Sequence, residues 1–204
     1  MIKVLKYLYS FKYTKLASYN SARYLQLKLN QSHKNKYLYY YGFQILYGSI
    51  NKGLLLILAG LALGILYQIL IASLAFMLLR VFVGGLHFDS YTKCAWVSLG
   101  SLVTIGLLSA YIPYNFIINL IVFATLLCII IHYAPIENKN RLLLDNEKIK
   151  FKYISIAMLL ILFIVQFFSN SIIIKNSIMY GVLLSGIIAT PFINGLSNNI
   201  EKKG

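Results

Sequence analysis

The chain has 204 residues, 59% of them hydrophobic and only 12% charged. Soluble domains carry about 25% charged residues, so this composition excludes a soluble enzyme, a disulfide-rich secreted scaffold and a disordered or coiled-coil protein. The charge that remains is one-sided, 19 Lys+Arg against 5 Asp+Glu, for a formal net charge of +14.

The basic residues lie beside apolar runs and form no recognisable nucleic-acid module, so a nucleic-acid partner is not expected. They fit the cytoplasmic excess of Lys and Arg that insertion produces, and an anionic inner leaflet would attract them. Cys94 and Cys128 come without CxxC or Cys/His zinc spacing, so no disulfide framework, metal or cofactor is implied.

Residues 1–42 contain Lys3, Lys6, Lys12, Lys15, Arg23, Lys28, Lys34 and Lys36, and no acid. Lysines interrupt every early apolar run, so no signal peptide is read there. Ile2, Leu5, Tyr9, Tyr13 and Leu16 recur at helical spacing. That spacing predicts an amphipathic helix with a basic opposite face, lying in the inner headgroup layer.

Residues 43–83 are nearly all apolar, and about twice the roughly 20 residues that one span requires. They read as helices at 43–66 and 69–83, with a reversal at Tyr67-Gln68 and a second helix short enough to be re-entrant. Further spans are expected at 95–111, 116–131, 155–168 and 178–193. With both termini cytoplasmic, every basic cluster falls on the inner side, because 67–68 and 111–115 carry no charge and 169–177 carries only Lys175.

The expected fold is therefore an all-α polytopic membrane protein of about six transmembrane helices. Its single integral domain, 1–204, would comprise a basic interfacial region (1–42), a bundle (43–193) and a cytoplasmic tail (194–204). It belongs in a cell membrane, with both termini and residues 80–94 expected to face the cytoplasm.

Chemistry concentrates in residues 80–94, which hold Arg80, Gly84, Gly85, His87, Asp89, Lys93 and Cys94. An unperturbed thiol has a pKa of about 8.5, and a nucleophile requires the thiolate. A neighbouring imidazole, cations and a helix N-terminus all favour that form. On one straight helix His87 and Cys94 would be separated by a rise of about 10.5 Å, whereas a base must come within about 3 Å of its proton. Residues 80–111 therefore cannot form one unbroken helix if the two work together. Gly84-Gly85 permit a reversal, and Asp89 or Ser90 suits the N-cap of a helix carrying Cys94.

The pattern Arg-(x3)-Gly-Gly-x-His-(x6)-Cys, at the inner start of a span in a basic six-span protein of this size, resembles the accessory gene regulator B family. Those proteins are membrane cysteine endopeptidases that process quorum-sensing propeptides. Residues 133–140, Tyr-Ala-Pro-Ile-Glu-Asn-Lys-Asn, are also similar to the family's loop after its fourth span, although the family continues with Lys-Pro where this chain has Arg141-Leu142.

The resemblance implies Cys94 as nucleophile and His87 as base, acting on an AgrD-like propeptide with an acidic C-terminal tail. Cleavage on the C-terminal side of the future ring would give a thioester at Cys94, which an internal Cys or Ser of the peptide converts to a thiolactone or lactone. Asp89 is a candidate orienter of the imidazole, and Arg80, Gly84 and Gly85 are supporting candidates. Lys139, Arg141, Lys148, Lys150 and Lys152 are candidates for holding the acidic tail, although positive-inside topology explains the same residues. The family suggests a homodimer, but no heptad or small-xxx-small face is recognised that would establish one.

Cys128 and His132 lie one turn apart, but Cys128 falls inside an apolar span where a thiolate is disfavoured, and His132 reads as an interfacial anchor. His33 reads as a surface residue of the basic arm. The alternative is a non-catalytic transporter, exporter or scaffold. A transport path would require mid-span polar residues, and only Asn51, Lys52, Gln68, Gln166 and a few Ser/Thr qualify.

Overall fold

The computed structural model describes residues 11–30, 33–85, 91–136 and 143–190. They form seven helices: α1 (Phe11–Lys28), α2 (His33–Leu63), α3 (Leu66–Val83), α4 (Tyr91–Tyr111), α5 (Phe116–Tyr133), α6 (Asp145–Phe168) and α7 (Ile172–Ala189). Among the described residues, six segments are long and apolar enough to cross a membrane: Asn35–Leu63, Leu66–Val83, Cys94–Tyr111, Phe116–Tyr133, Asp145–Phe168 and Ile172–Ala189. The chain is a multi-pass membrane protein with an all-α fold. It divides into two compact units, Met1–Leu58 and Ala59–Gly204.

Within the first unit, α1 and the first half of α2 form an antiparallel hairpin. Thr14 Oγ1 accepts from Asn51 Nδ2 at 3.2 Å, Ser21 Oγ and Tyr47 OH share a hydrogen bond of 2.8 Å, and Lys36 Nζ donates to Tyr19 OH at 2.8 Å. The buried side of α1 carries Thr14, Ser18 and Ala22, while Tyr13, Leu16, Lys15 and Arg23 are all exposed. Of the expected apolar positions, Tyr13 and Leu16 lie on the exposed part of α1. Residues 1–10, with Ile2, Leu5 and Tyr9, lie outside the described residues.

The chain reverses three residues before the expected Tyr67-Gln68. Gly64, at φ 68°, accepts the left-handed conformation that ends α2, with Ile65 N–H donating to Gly60 O at 2.9 Å and Gly64 N–H to Leu61 O at 3.3 Å. This is a Schellman ending, in which glycine supplies the αL residue. Helix α3 then starts at Leu66, and its 18 residues rise about 27 Å, close to the ~30 Å of a bilayer core.

In the second unit α7 is the central helix, packed against α3, α4, α5 and α6. Its sequence explains that position. Ser177, Gly181, Ser185 and Ala189 recur every fourth residue and are all buried, so neighbouring backbones can approach closely. A Cβ at Gly181 would lie 2.5 Å from Ala72 O of α3. This is a small-xxx-small face, unrecognised in the sequence, and it is used inside the chain. Around it, Leu79, Val83, Phe123, Leu126, Ile130, Leu159, Ile178 and Val182 form the apolar core.

The end of the bundle holding Tyr111–Phe116 and Phe168–Ile172 is fastened by buried amides. Gln166 Nε2 donates to Asn119 Oδ1 (2.9 Å) and Lys175 O (2.6 Å), and Asn176 Nδ2 donates to Ser109 O (2.7 Å) and Ile112 O (2.6 Å). Gln166 is thus a cross-brace between helix ends, which removes it from the residues that could line a transport path. Gln166→Leu will lower the thermal stability of the detergent-purified protein by about 1–2 kcal/mol, because the buried Asn119 Oδ1 and the partly buried Lys175 O lose their donor. An unchanged melting curve would show that these bonds contribute nothing net.

Several spans start earlier than expected: α2 at His33 and not 43, α3 at Leu66 and not 69, and α6 and α7 as well. Helix α6 begins at Asp145 and not near 155: Asp145 and Glu147 occupy its first turn, where the helix dipole favours acids, and Glu147 Oε2 accepts the Leu144 N–H at 3.0 Å. Helix α7 begins at Ile172 and not at 178, with Lys175 in its first turn.

Candidate functional site

The other end of the second unit gathers the residues singled out by the sequence. Helix α3 stops at Val83, where Gly84 (φ 81°, ψ −151°) and Gly85 (φ 117°) turn the chain. Residues 80–111 are therefore not one unbroken helix, and the condition set by the His87–Cys94 spacing is met. His87, Asp89 and Ser90 lie outside the described residues, as do Lys139 and Arg141.

Each glycine is held by a different neighbour. Gly84 forms an isolated parallel bridge with Ile136, and Ile136 N–H donates to Val83 O at 2.9 Å. A Cβ on Gly84 would run into Ile136 O. Gly85 is buried, and a Cβ there would meet Arg80 Nη1 and lie 2.9 Å from Ile188 O of α7. The pair joins the end of α3 to the segment after α5 and to the last turn of α7. Sequence reasoning proposed Gly84 and Gly85 as a flexible reversal; they also form a close-packed crossing.

Arg80 sits in the last turn of α3 and folds back, its Nη1 donating to Gly84 O. That bond satisfies a carbonyl beyond the helix end, a common use of a basic residue there. Helices α3 and α4, which carry Arg80 and Cys94, pack against each other.

Cys94 is the fourth residue of α4 and is half-buried, next to the fully packed Ala95. Its place in the first turn puts it among the residues whose backbone N–H groups have no partner within the helix. Cys94 and Cys128 are both free thiols. Cys128 and His132 are exposed on α5 and take no part in the buried core around α7.

The basic start of α6 lies beside the same end of α3. Phe82 and Phe151 rings meet at 5.9 Å between centroids, and Lys150 and Lys152 flank Phe151 in the chain. Lys148 Nζ is 3.4 Å from Asp145 Oδ1, so part of its charge is already answered within the helix. Lys150 is exposed and Lys152 half-buried. The structure therefore brings together Arg80, Gly84, Gly85 and the start of α6, with Cys94 in the first turn of the helix that follows and packs against α3. Sequence reasoning missed Ile136 and Ile188, which act through backbone carbonyls and so leave no mark in residue type.

The family model for accessory gene regulator B matches residues 18–189. Comparison with the curated proteins and with the solved structures found no match. The matched range includes the glycine turn, Cys94, the bridge at Ile136 and the central helix α7, and on that evidence the chain belongs to the accessory gene regulator B family.

Proposed function

We propose that this protein is a membrane cysteine endopeptidase of the accessory gene regulator quorum-sensing system, and that it cuts and helps cyclise a small propeptide. Family membership supports the role in that system. The observation that carries the chemistry is Cys94 in the first turn of α4, the helix that follows the Gly84-Gly85 break at the end of α3.

In this reading His87 takes the Cys94 proton and the thiolate attacks the carbonyl on the C-terminal side of the future ring. Backbone N–H groups at the start of α4 are the candidates for holding the oxyanion. The C–N bond breaks as His87 returns the proton to the leaving amine, and Cys94 keeps the acyl group as a thioester. A thiol within the peptide then attacks that thioester, closing a thiolactone and releasing the Cys94 thiol. A hydroxyl would close a lactone. One thioester replaces another in the thiol case, so ring closure competes with hydrolysis when water is excluded.

The acidic tail of the propeptide would meet Lys150, Lys152 and Lys148, together with Lys139 and Arg141 of the preceding segment. Each exposed pair contributes about 1 kcal/mol or less, so these cations set register and encounter rate more than affinity. The cytoplasmic placement of the site and both termini follows from the basic residues flanking the spans. Assembly as a homodimer is part of the same family-based proposal.

The test is co-expression with a cognate propeptide, with cleavage fragments read by mass spectrometry for wild type, Cys94→Ala, Cys94→Ser and His87→Ala. Loss of the fragments in inserted, folded variants supports the peptidase. Continued cleavage would make Cys94 structural and favour a scaffold or exporter. Arg80 gives a second prediction. Arg80→Met will slow cleavage about 10–100-fold, since it removes a charge from the end of α3 and the bond that holds Gly84 O. Arg80→Lys will retain part of the rate, because charge survives while the planar fork does not.

A further inference from the structure

The ring of helices around α7 is not closed. Helix α4 packs on α3, α3 on α6 and α6 on α5, whereas α4 and α5, consecutive in the chain, do not pack along each other among the described residues. A groove of about 240 Å³ runs between α5 and α7, walled by Val122, Thr125 and Ile129 and by Leu183, Gly186 and Thr190. No residue of α6 lines it, so it lies on the open side of the ring. The lining is almost wholly apolar, and the Thr125 hydroxyl is turned back to donate to Ile121 O at 2.7 Å. Gly186 keeps the groove open: a Cβ there would find its nearest neighbour, Leu126, 3.6 Å away.

The groove is continuous with the glycine crossing of the candidate site. Ile187 and Thr190 line it, and Ile188 between them presents its carbonyl to Gly85. On the other wall, the segment that follows Ile129 leads to Ile136, which bridges Gly84. Helix α4 borders the opening from the far side. Its Gly106 lies against Ile69 of α3, and its Ser109 Oγ is 3.4 Å from Ser177 Oγ of α7. At 3.6 residues per turn, Ser109 is rotated about 60° from Gly106, and Cys94 about 60° further in the same sense. Cys94 therefore stands on the flank of α4 beyond α7, where the ring is open.

Resting on the peptidase reading, we infer that this groove binds apolar side chains of the propeptide just before the cleaved bond, and so selects substrates that are apolar on that side. The basic start of α6, against the end of α3, is left to the acidic tail beyond the bond. Size and chemistry choose the occupant. A dry cavity of about 150 Å³ holds one benzene, so this groove takes one or two side chains and not a whole helix of a second copy. A peptide backbone would find no hydrogen-bond partner in it, so side chains alone enter. A lipid chain meets the same limits, and continuity with the glycine crossing favours the peptide.

The binding test places the photoreactive residue p-benzoylphenylalanine at Thr125, exposed on the groove wall, in the full chain carrying Cys94→Ala. The protein is reconstituted in phosphatidylcholine vesicles with a cognate propeptide, and adducts are mapped by mass spectrometry. The expected adduct joins Thr125's position to the propeptide residues just before the cleaved bond. The same label at Ile161, exposed on α6, should give none. Adducts to lipid alone, to a second copy alone, or equally from both positions overturn the proposal. A second test keeps Cys94 and compares propeptides with Leu, Val or Ala before the bond. Wild type should favour Leu over Ala by about 10–50-fold in kcat/KM, and Gly186→Leu, which fills the groove, should level or reverse that order. Equal loss for all three peptides overturns the proposal. Failure of the two readings is distinguishable. Adducts at Thr125 with cleavage that survives Cys94→Ala would remove the peptidase and leave the groove, whereas Cys94-dependent cleavage without adducts would remove the groove alone.

Discussion

Alanine at position 94 is expected to abolish cleavage of the propeptide, by about 10⁴-fold or more, while leaving the fold in place. The two effects separate because Cys94 is half-buried in the first turn of α4 and not part of the core around α7. Trimming its sulfur removes few contacts, and substitutions at such positions fall mostly within about 1 kcal/mol. A nucleophile and its base act as a unit, so removing either costs nearly as much as removing both. His87→Ala should therefore match Cys94→Ala in rate, and the double variant should be little worse than either.

The Cys94→Ser variant offers a further discrimination. Its hydroxyl keeps the shape but is a far weaker nucleophile than a thiolate, so turnover should fall to near the alanine level. A slowly formed oxyester at position 94 of that variant, found by mass spectrometry of the intact protein, would identify the attacking atom directly. Cys128→Ala is the matching control. Cys128 is exposed on α5, and cleavage and melting should both stay at wild-type levels. Cleavage surviving in Cys94→Ala but lost in Cys128→Ala would relocate the nucleophile and overturn the assignment.

The fold was legible where physics depends on composition alone. Apolar length found all six spans, and Gly84-Gly85 located the break before Cys94, because runs of apolar residues and glycine pairs are local signals. The helix starts were less legible. Asp145–Phe151 looks like a charged loop by hydropathy, yet Glu147 and the dipole make it the first turns of α6. The central place of α7 was not legible either: Ser177, Gly181, Ser185 and Ala189 show a small face, but not which helix will pack against it. At the candidate site, residue type and spacing singled out Cys94, Arg80 and the glycines. They could not reveal Ile136 and Ile188, whose contributions are carbonyl oxygens.

Those carbonyls give the second large effect. Gly84→Ala is expected to destabilise the protein by about 2–4 kcal/mol and to remove most of the cleavage activity. At φ 81° and ψ −151°, Gly84 occupies a backbone region that is essentially reserved for glycine, a cost of about 1–3 kcal/mol for any other residue. The new Cβ also runs into Ile136 O. Ile136 is tied back to Val83 O through its own N–H, so the carbonyl cannot retreat without breaking the bridge. Gly85→Ala meets a softer obstacle in Arg80 Nη1 and a harder one in Ile188 O at 2.9 Å. Gly100→Ala on α4, with nothing within 4 Å of its Cβ, should be neutral or stabilising by up to about 1 kcal/mol. Thermal melting of the three variants tests the order directly. Because His87 follows Gly85 by two residues, a displacement of about 1 Å at this crossing is enough to cost about 100-fold in rate. Gly84→Ala should therefore lose activity even under conditions where it remains folded, whereas Gly100→Ala should lose neither. If Gly84→Ala melts and cleaves like wild type, the crossing does not position the site and the glycine pair serves the chain reversal alone.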